Sequence, residues 1–211
     1  IATGSASLRF GRHIDATADL SASLLDLDEL AGAKSRDVLR KAGSLAVIDG
    51  LLALLPGDMS LDGRIKVTSL KSEGQSFDNV ELAIAADRDR LTVNRFSSGL
   101  PGRSEMLFKG RYFTAPGGGE LSGDLGLEAN DLRAFTLWLW PGAGDSIGPL
   151  WTGDRGRLKL QTGLSVTPQG LRLAGSEFEL DGEAGTGALA VTAAGRGAVA
   201  LDIQQFANRL R

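Results

Sequence analysis

The sequence predicts a mainly β protein, built on an antiparallel sheet with one apolar and one wetted face. Three observations carry that expectation. Across residues 61–132 apolar side chains recur at every second position, and successive strand side chains point to opposite faces. Glycine is abundant at 29 of 211 residues while aromatics make up only 6%, which suits strands joined by tight turns that need positive φ. All six prolines, at 56, 101, 116, 141, 149 and 168, fall between expected elements, where a missing N–H costs no ladder bond.

Taken in order, residues 5–27 give two strands. Leu8, Phe10 and Ile14 share a parity in the first; Ala18, Leu20, Ala22 and Leu24 share one in the second, opposite Asp19, Ser21 and Ser23. The parity slips at Leu24-Leu25, which predicts a bulge. Residues 35–55 are the main helical segment: Ser35 caps it, Asp37 favours its first turn, and Pro56-Gly57 stops it. Its apolar stripe ends in the leucine-rich run 51–55, which suits either a helix packed on the sheet or one lying against a membrane surface.

The central strands follow. Ile65 and Val67 alternate with charged and hydroxyl residues, as do Val80, Leu82 and Ile84, then Leu91 and Val93, then Met106 and Phe108, then Leu121, Leu125 and Leu127. Turns are expected at Glu73-Gly74, Asp78-Asn79, Asp87-Arg88-Asp89, Pro101-Gly102 and 115–119. Residues 131–140 read as a short helix with Leu132, Phe135 and Leu139 on one face, ended by Pro141-Gly142. The loop at 142–152 is the one internal boundary. Strands resume at 157–167, 171–174, 177–181, 188–194 and 198–203, with turns at Pro168-Gln169-Gly170 and Asp181-Gly182, and a last helix begins near Gln205. The chain therefore reads as one continuous fragment of a larger protein, with sub-modules 1–57, 58–142 and 153–211.

A short pattern recurs where a strand hands over to a helix: Leu25-Asp26-Leu27-Asp28-Glu29-Leu30, Leu127-Glu128-Ala129-Asn130-Asp131-Leu132 and Leu201-Asp202-Ile203-Gln204-Gln205-Phe206. Asp or Asn at such a junction accepts the free N–H groups of a first helical turn. A second echo relates Asp62-Gly63-Arg64-Ile65-Lys66-Val67 to residues 154–160. Together they suggest an array of modules, none of which buries its apolar face alone.

Residues fit for chemistry are scarce. The absence of cysteine excludes disulfides, zinc thiolate sites, iron–sulfur clusters and cysteine nucleophiles. A net charge of -3, with both signs interleaved, argues against a nucleic-acid partner, which needs a basic stripe. His13 is the sole histidine, has no acid partner evident in sequence, and would have to carry any Ser-His-Asp or imidazole–metal site alone. The pairs Asp26/Asp28 and Asp87/Asp89 are explained by a helix start and a hairpin tip. Gly185-Thr186-Gly187-Ala188-Leu189-Ala190 approaches a dinucleotide glycine pattern but lies between short strands, so a hairpin turn is expected there. No catalytic residue, metal or cofactor is expected. Trp138, Trp140 and Trp151 suit either an aromatic lip at a membrane or acyl chain, or core filler where a helix plugs one end of the sheet. The chain begins at Ile1, has no signal peptide and no apolar run of roughly 18 residues. A processed product or an excised piece is expected, with any membrane anchor outside it.

The order of parts carries one further reading. Leu100-Pro101-Gly102, the strand Met106-Leu107-Phe108-Lys109-Gly110, a glycine-rich turn, and then Leu121-Ser-Gly123-Asp-Leu125-Gly-Leu127-Glu-Ala129-Asn-Asp131-Leu132 followed by Phe135, Leu137, Trp138 and Leu139 stand in sequence. This arrangement resembles the AsmA family of bacterial envelope proteins, which repeat L-x-G-x-L-x-L-x-A-x-D-L-x-x-hydrophobic. The likeness is good over residues 58–140 and looser on either side. It implies a long curved antiparallel sheet, groove- or taco-like, of repeated strand modules with a few short helices at its ends or face. It also implies a periplasmic, non-enzymatic protein anchored to the inner membrane by a segment outside this piece, and a role in moving phospholipid toward the outer membrane. Phospholipid acyl chains and other envelope proteins are then the expected partners. The lining would be Ile65, Val67, Val80, Leu82, Ile84, Met106, Phe108, Leu125 and Leu127, the same residues that a sealed core without lipid cargo would use.

Overall fold

The computed structural model describes residues 1–30, 44–72, 75–139, 156–192 and 199–202. Eleven strands follow one another in a single sheet whose spatial order is the chain order. They are β1 (Ala2–Phe10), β2 (Ile14–Asp26), β3 (Met59–Ser72), β4 (Gln75–Ala86), β5 (Arg90–Leu100), β6 (Ser104–Phe113), β7 (Glu120–Ala129), β8 (Leu158–Thr167), β9 (Gly170–Leu180), β10 (Glu183–Thr192) and β11 (Val199–Asp202). Among the described residues three short helices accompany them: α1 (Leu27–Leu30), α2 (Ser44–Ala53) and α3 (Leu132–Leu139). The protein is mainly β, a curved and mostly antiparallel sheet with few helices.

One pairing departs from the expectation. β2 and β3 run parallel, with Ile14 opposite Met59 and Asp26 opposite Lys71. A hairpin can only reverse the chain, whereas a parallel neighbour needs a crossover of a dozen or more residues. The segment between Asp26 and Met59, which carries α1 and α2, supplies it.

The two-residue period sorts the side chains as the sequence indicates. In β6, Ser104 and Tyr112 are buried and Met106 and Phe108 half-buried, while Glu105, Leu107, Lys109, Arg111 and Phe113 are exposed. Where the alternation breaks, the strand bends. Ala22 and Leu25, Val67 and Leu70, and Val80 and Phe77 all join one apolar cluster, so β2, β3 and β4 slip parity at the same level. In β2 this is the slip anticipated at Leu24-Leu25; Leu24 is turned out to 51% exposure. In β4 the device is Asn79 at φ 50°, a left-handed conformation that Asn adopts more readily than most residues. Asp78-Asn79 is thus a bulge within a strand rather than the expected turn. β5 shifts register between Val93 and Phe96, and β9 between its partners of Gln161 and Gly163, next to Gly175 at φ 60°. The segments 171–174 and 177–181 are therefore one bulged strand. Such bulges bend a strand and raise its twist.

Other junctions follow from local chemistry. Asp181 and Gly182, at φ 51° and 90°, make a two-residue hairpin between β9 and β10 with the positive φ at both positions that matches strand twist. Asp87 accepts the Asp89 N–H at 3.1 Å and pairs with Arg90 at 3.0 Å, closing the β4–β5 turn. Gly185-Thr186-Gly187 lies inside β10 rather than at a turn; Gly185 sits opposite Phe178, whose ring fills the space a Cβ would need.

α2 ends as expected before Pro56. Its last turn tightens, with Leu54 and Leu55 N–H donating to Leu51 and Leu52 at 3.2 and 3.0 Å. The proposed Ser35 cap, the Glu73-Gly74 turn, the 142–152 loop and the helix near Gln205 lie outside the described residues.

Candidate functional site

The apolar face is the feature the sequence points to, and its geometry follows from register. One row crosses it as Ile65, Leu82, Phe96, Phe108 and Leu125, each opposite the next. The adjacent row toward α3 holds Val67, Val80, Met106 and Leu127. The row toward α2 holds Gly63 opposite Ile84, Ile84 opposite Val93, Val93 opposite Gly110, and Gly110 opposite Gly123. All nine sequence-predicted lining residues thus stand on one face.

Two helices cover opposite ends of that face. α2 seals its end with Leu52, 3% exposed, against Ala86 and Tyr112, with Leu45, Ile48, Leu61, Leu91 and Leu121 around them. Tyr112 is fully buried, and its hydroxyl donates to the Leu45 carbonyl of α2 at 3.1 Å. Gly119 must lack a side chain because a Cβ there would overlap that hydroxyl. Burial, and then the Asp49 carboxylate alongside, push the Tyr112 phenol well above its usual range. Asp49 Oδ1 is itself buried and finds no hydrogen-bond partner among the described residues.

α3 closes the other end. Leu132 and Phe135 pack on Leu100 and Ala129, with Met106, Leu127, Leu158 and Leu180 around them. Asp131 caps the helix, its carboxylate accepting the Ala134 N–H at 3.0 Å. Two further free donors of the first turn are taken up outside the helix, Asp131 N–H by Gly102 and Leu132 N–H by Gly156. Trp138 meets Phe77 edge-on at 6.0 Å and lies 5.7 Å from Phe135, so its ring packs within this plug. Trp140 and Trp151 lie outside the described residues. Leu139, expected on the buried face, is 63% exposed; the stripe runs through Leu132, Phe135 and Trp138 instead.

Between the helices the nine lining residues divide. Val67 and Val80, 2% and 7% exposed, belong to a third cluster with Ala22, against which Ile65 and Phe96 pack. Met106 and Leu127 lean on the α3 cluster. Leu82, Ile84, Phe108 and Leu125 are half-buried and belong to none of the three clusters among the described residues. Beside them Gly110 and Gly123 give a bare floor; the Phe108 ring leans over Gly110. From Tyr112 to Ser104 is eight residues, roughly 27 Å at strand rise. A helix about 10 Å across, centred over each end, covers about 5 Å of that span, which leaves roughly 17 Å between the two. The apolar row ends at β8, where Thr162 and Ser176 are buried and share a 2.8 Å hydroxyl contact.

Sequence reasoning missed Phe96, because Asn94 and Arg95 break the alternation just before it. It also missed the glycine floor, which has no periodic signal of its own.

The opposite face is polar. Glu81 lies between Lys66 at 3.1 Å and Arg95 at 3.2 Å, and the Lys66 hydrogen bond above all holds its carboxyl below the usual range. Open depressions of about 530, 400 and 420 Å³ are lined by hydroxyl, amide and charged groups mixed with apolar ones, among them Ala22, Val67 and Val80 in the first and Phe178 in the third. His13 stands in the bend between β1 and β2, outside either strand, 4.0 Å from Asp15 with both side chains about half exposed. Among the described residues no group of three or more His, Asp or Glu could hold a metal ion, and no helix is long and apolar enough to cross a membrane.

Fold and site together define an open, one-sided β-sheet protein with a helix over each end of its apolar face. No family model, curated protein or solved structure matches this chain.

Proposed function

We propose that this chain is a non-enzymatic module of an AsmA-like envelope protein, and that its apolar β-groove carries phospholipid acyl chains through the periplasm between inner and outer membrane. The parent would be anchored to the inner membrane by a segment outside this piece. The observation that carries the reading is the strip of Leu82, Ile84, Phe108 and Leu125, which lies between two helix-covered ends and joins no core cluster among the described residues. A sheet with one apolar face must have that face covered, and burying acyl chain is favourable at ~0.8 kcal/mol per CH₂. The polar face keeps such a module wet on its other side. Transfer would be passive, the chains shielded and the head groups left in water.

The test is native mass spectrometry of the purified chain with lipid extraction. Phospholipid at fixed stoichiometry is the expected result. A lipid-free, thermally stable protein would overturn the reading and leave a sealed interaction module of the envelope, which the near-complete burial of Val67 and Val80 favours.

A further inference from the structure

Strand β1 stands at one end of the strand order, so one of its backbone edges is unpaired among the described residues. All nine of its residues are exposed; it carries no proline, and its one charged side chain, Arg9, stands on the polar face, away from the apolar edge residues. The direction of its free groups follows from one bond. Ser23 N–H donates to the Ile1 carbonyl at 3.1 Å, and bonded pairs alternate along an antiparallel ladder. Thr3, Ser5, Ser7 and Arg9 therefore spend their N–H and C=O groups on β2. Ala2, Gly4, Ala6, Leu8 and Phe10 turn theirs outward. These same five residues occupy the apolar face, opposite Ala22, Leu20, Ala18, Ala16 and Ile14, with Leu8 58% and Phe10 74% exposed.

We propose that β1 pairs antiparallel with β1 of a second copy, about a twofold axis at Ala6. In that register Ala6 faces its own copy, Gly4 faces Leu8, and Ala2 faces Phe10. Every one of these is a bonded pair, so the outward groups of both strands are used together, in about ten bonds. The small half of each strand receives the large half of the other, so Phe10 and Leu8 gain cover without colliding. On the polar face Thr3 meets Arg9 and Ser5 meets Ser7, so no like charges are opposed. The twofold arrangement closes on itself, whereas pairing of β1 with β11 of a neighbour would be head-to-tail and leave an edge free to continue.

The chain has no cysteine, so single-cysteine variants report cleanly. Cα atoms of a bonded pair lie ~5.5 Å apart, inside the ~4.4–6.8 Å span a disulfide accepts. Under mild oxidation Ala6→Cys is expected to give a covalent dimer and Thr3→Cys is not, since Thr3 lies far from its own copy in this register. By sedimentation the unmodified 211-residue chain should form a two-chain species at micromolar concentration. Ala6→Pro removes an outward N–H and none toward β2, so it should retain the β circular dichroism signature and sediment as a single chain. A monomeric parent chain, open-ended growth, equal cross-linking of both cysteine variants, or a folded Ala6→Pro that still dimerises would each overturn the proposal.

Discussion

At the scale of single residues, Tyr112 ties an element to the sheet. It is the sole tyrosine, it is fully buried, and it holds α2 through the Leu45 carbonyl. Tyr112→Phe should cost about 0.5–1.5 kcal/mol by urea unfolding near neutral pH. The sign of its pH dependence follows from the raised phenol. In the unfolded chain the proton leaves near pH 10, while the folded protein keeps it to higher pH. The stabilisation is therefore complete below about pH 10 and is lost as pH climbs past that value. Tyrosinate absorbance should appear only with loss of β structure, and the gap between parent and Tyr112→Phe should narrow above pH 10. A tyrosine that titrates near 10 in the still-folded protein would contradict this. Periodicity could place Tyr112 on the apolar face, two residues beyond Gly110, but its hydroxyl partner lies 67 residues away on a helix, a distance no local pattern encodes.

At the scale of elements, the strands were legible where alternation was unbroken and misread where a bulge reset it. The hairpin at Asp181-Gly182 was readable because a two-residue loop with two positive φ values has few solutions. Asp78-Asn79 is also a turn-forming pair, with Asn where the hairpin has Gly, yet the chain uses it to bend β4 rather than reverse it. A turn and a bulge draw on the same left-handed conformation, and only the pairing partner distinguishes them. The strand-to-helix pattern was recognisable as a junction, but its copies are not equivalent in detail. Asp26 caps α1 by accepting the Glu29 N–H at 3.0 Å, whereas Asp131, three places later in the pattern, caps α3. Asn130 instead links neighbours, donating to the Arg103 carbonyl and accepting from Arg157. Asp131→Ala should lower stability by about 1 kcal/mol, while Asp124→Ala on the exposed face should stay within about 0.5 kcal/mol. Equal effects in thermal unfolding would mean that the Asp131 cap contributes nothing particular to holding α3.

For the whole molecule, the one-sided sheet could be read from the chain, but its parallel step and the clustering of its core could not. Both depend on where α2 and α3 come to rest, and α2 with the turn that ends it is apolar on both sides: Leu52 is buried while Leu51 and Leu54 are 61% and 78% exposed. The nine lining residues looked equivalent in sequence; among the described residues, packing separates them into a part that joins the core clusters and a half-buried part that joins none, and that division predicts two kinds of mutant. Val67→Asp places a charge against Ala22 and Val80 at a position 2% exposed, so it should cost several kcal/mol and leave little folded protein. Leu125→Asp and Phe108→Asp lie in the strip outside the core clusters, where the new carboxylate can stay hydrated in the absence of cargo. They should remain folded, losing no more than about 2 kcal/mol, and, on the proposed function, lose the phospholipid that native mass spectrometry is expected to find on the parent chain. The comparison needs urea unfolding and lipid stoichiometry on the same samples. If all three variants unfold alike, the strip is core and the groove reading fails. If Leu125→Asp stays folded and keeps its lipid, the cargo lies elsewhere on the sheet.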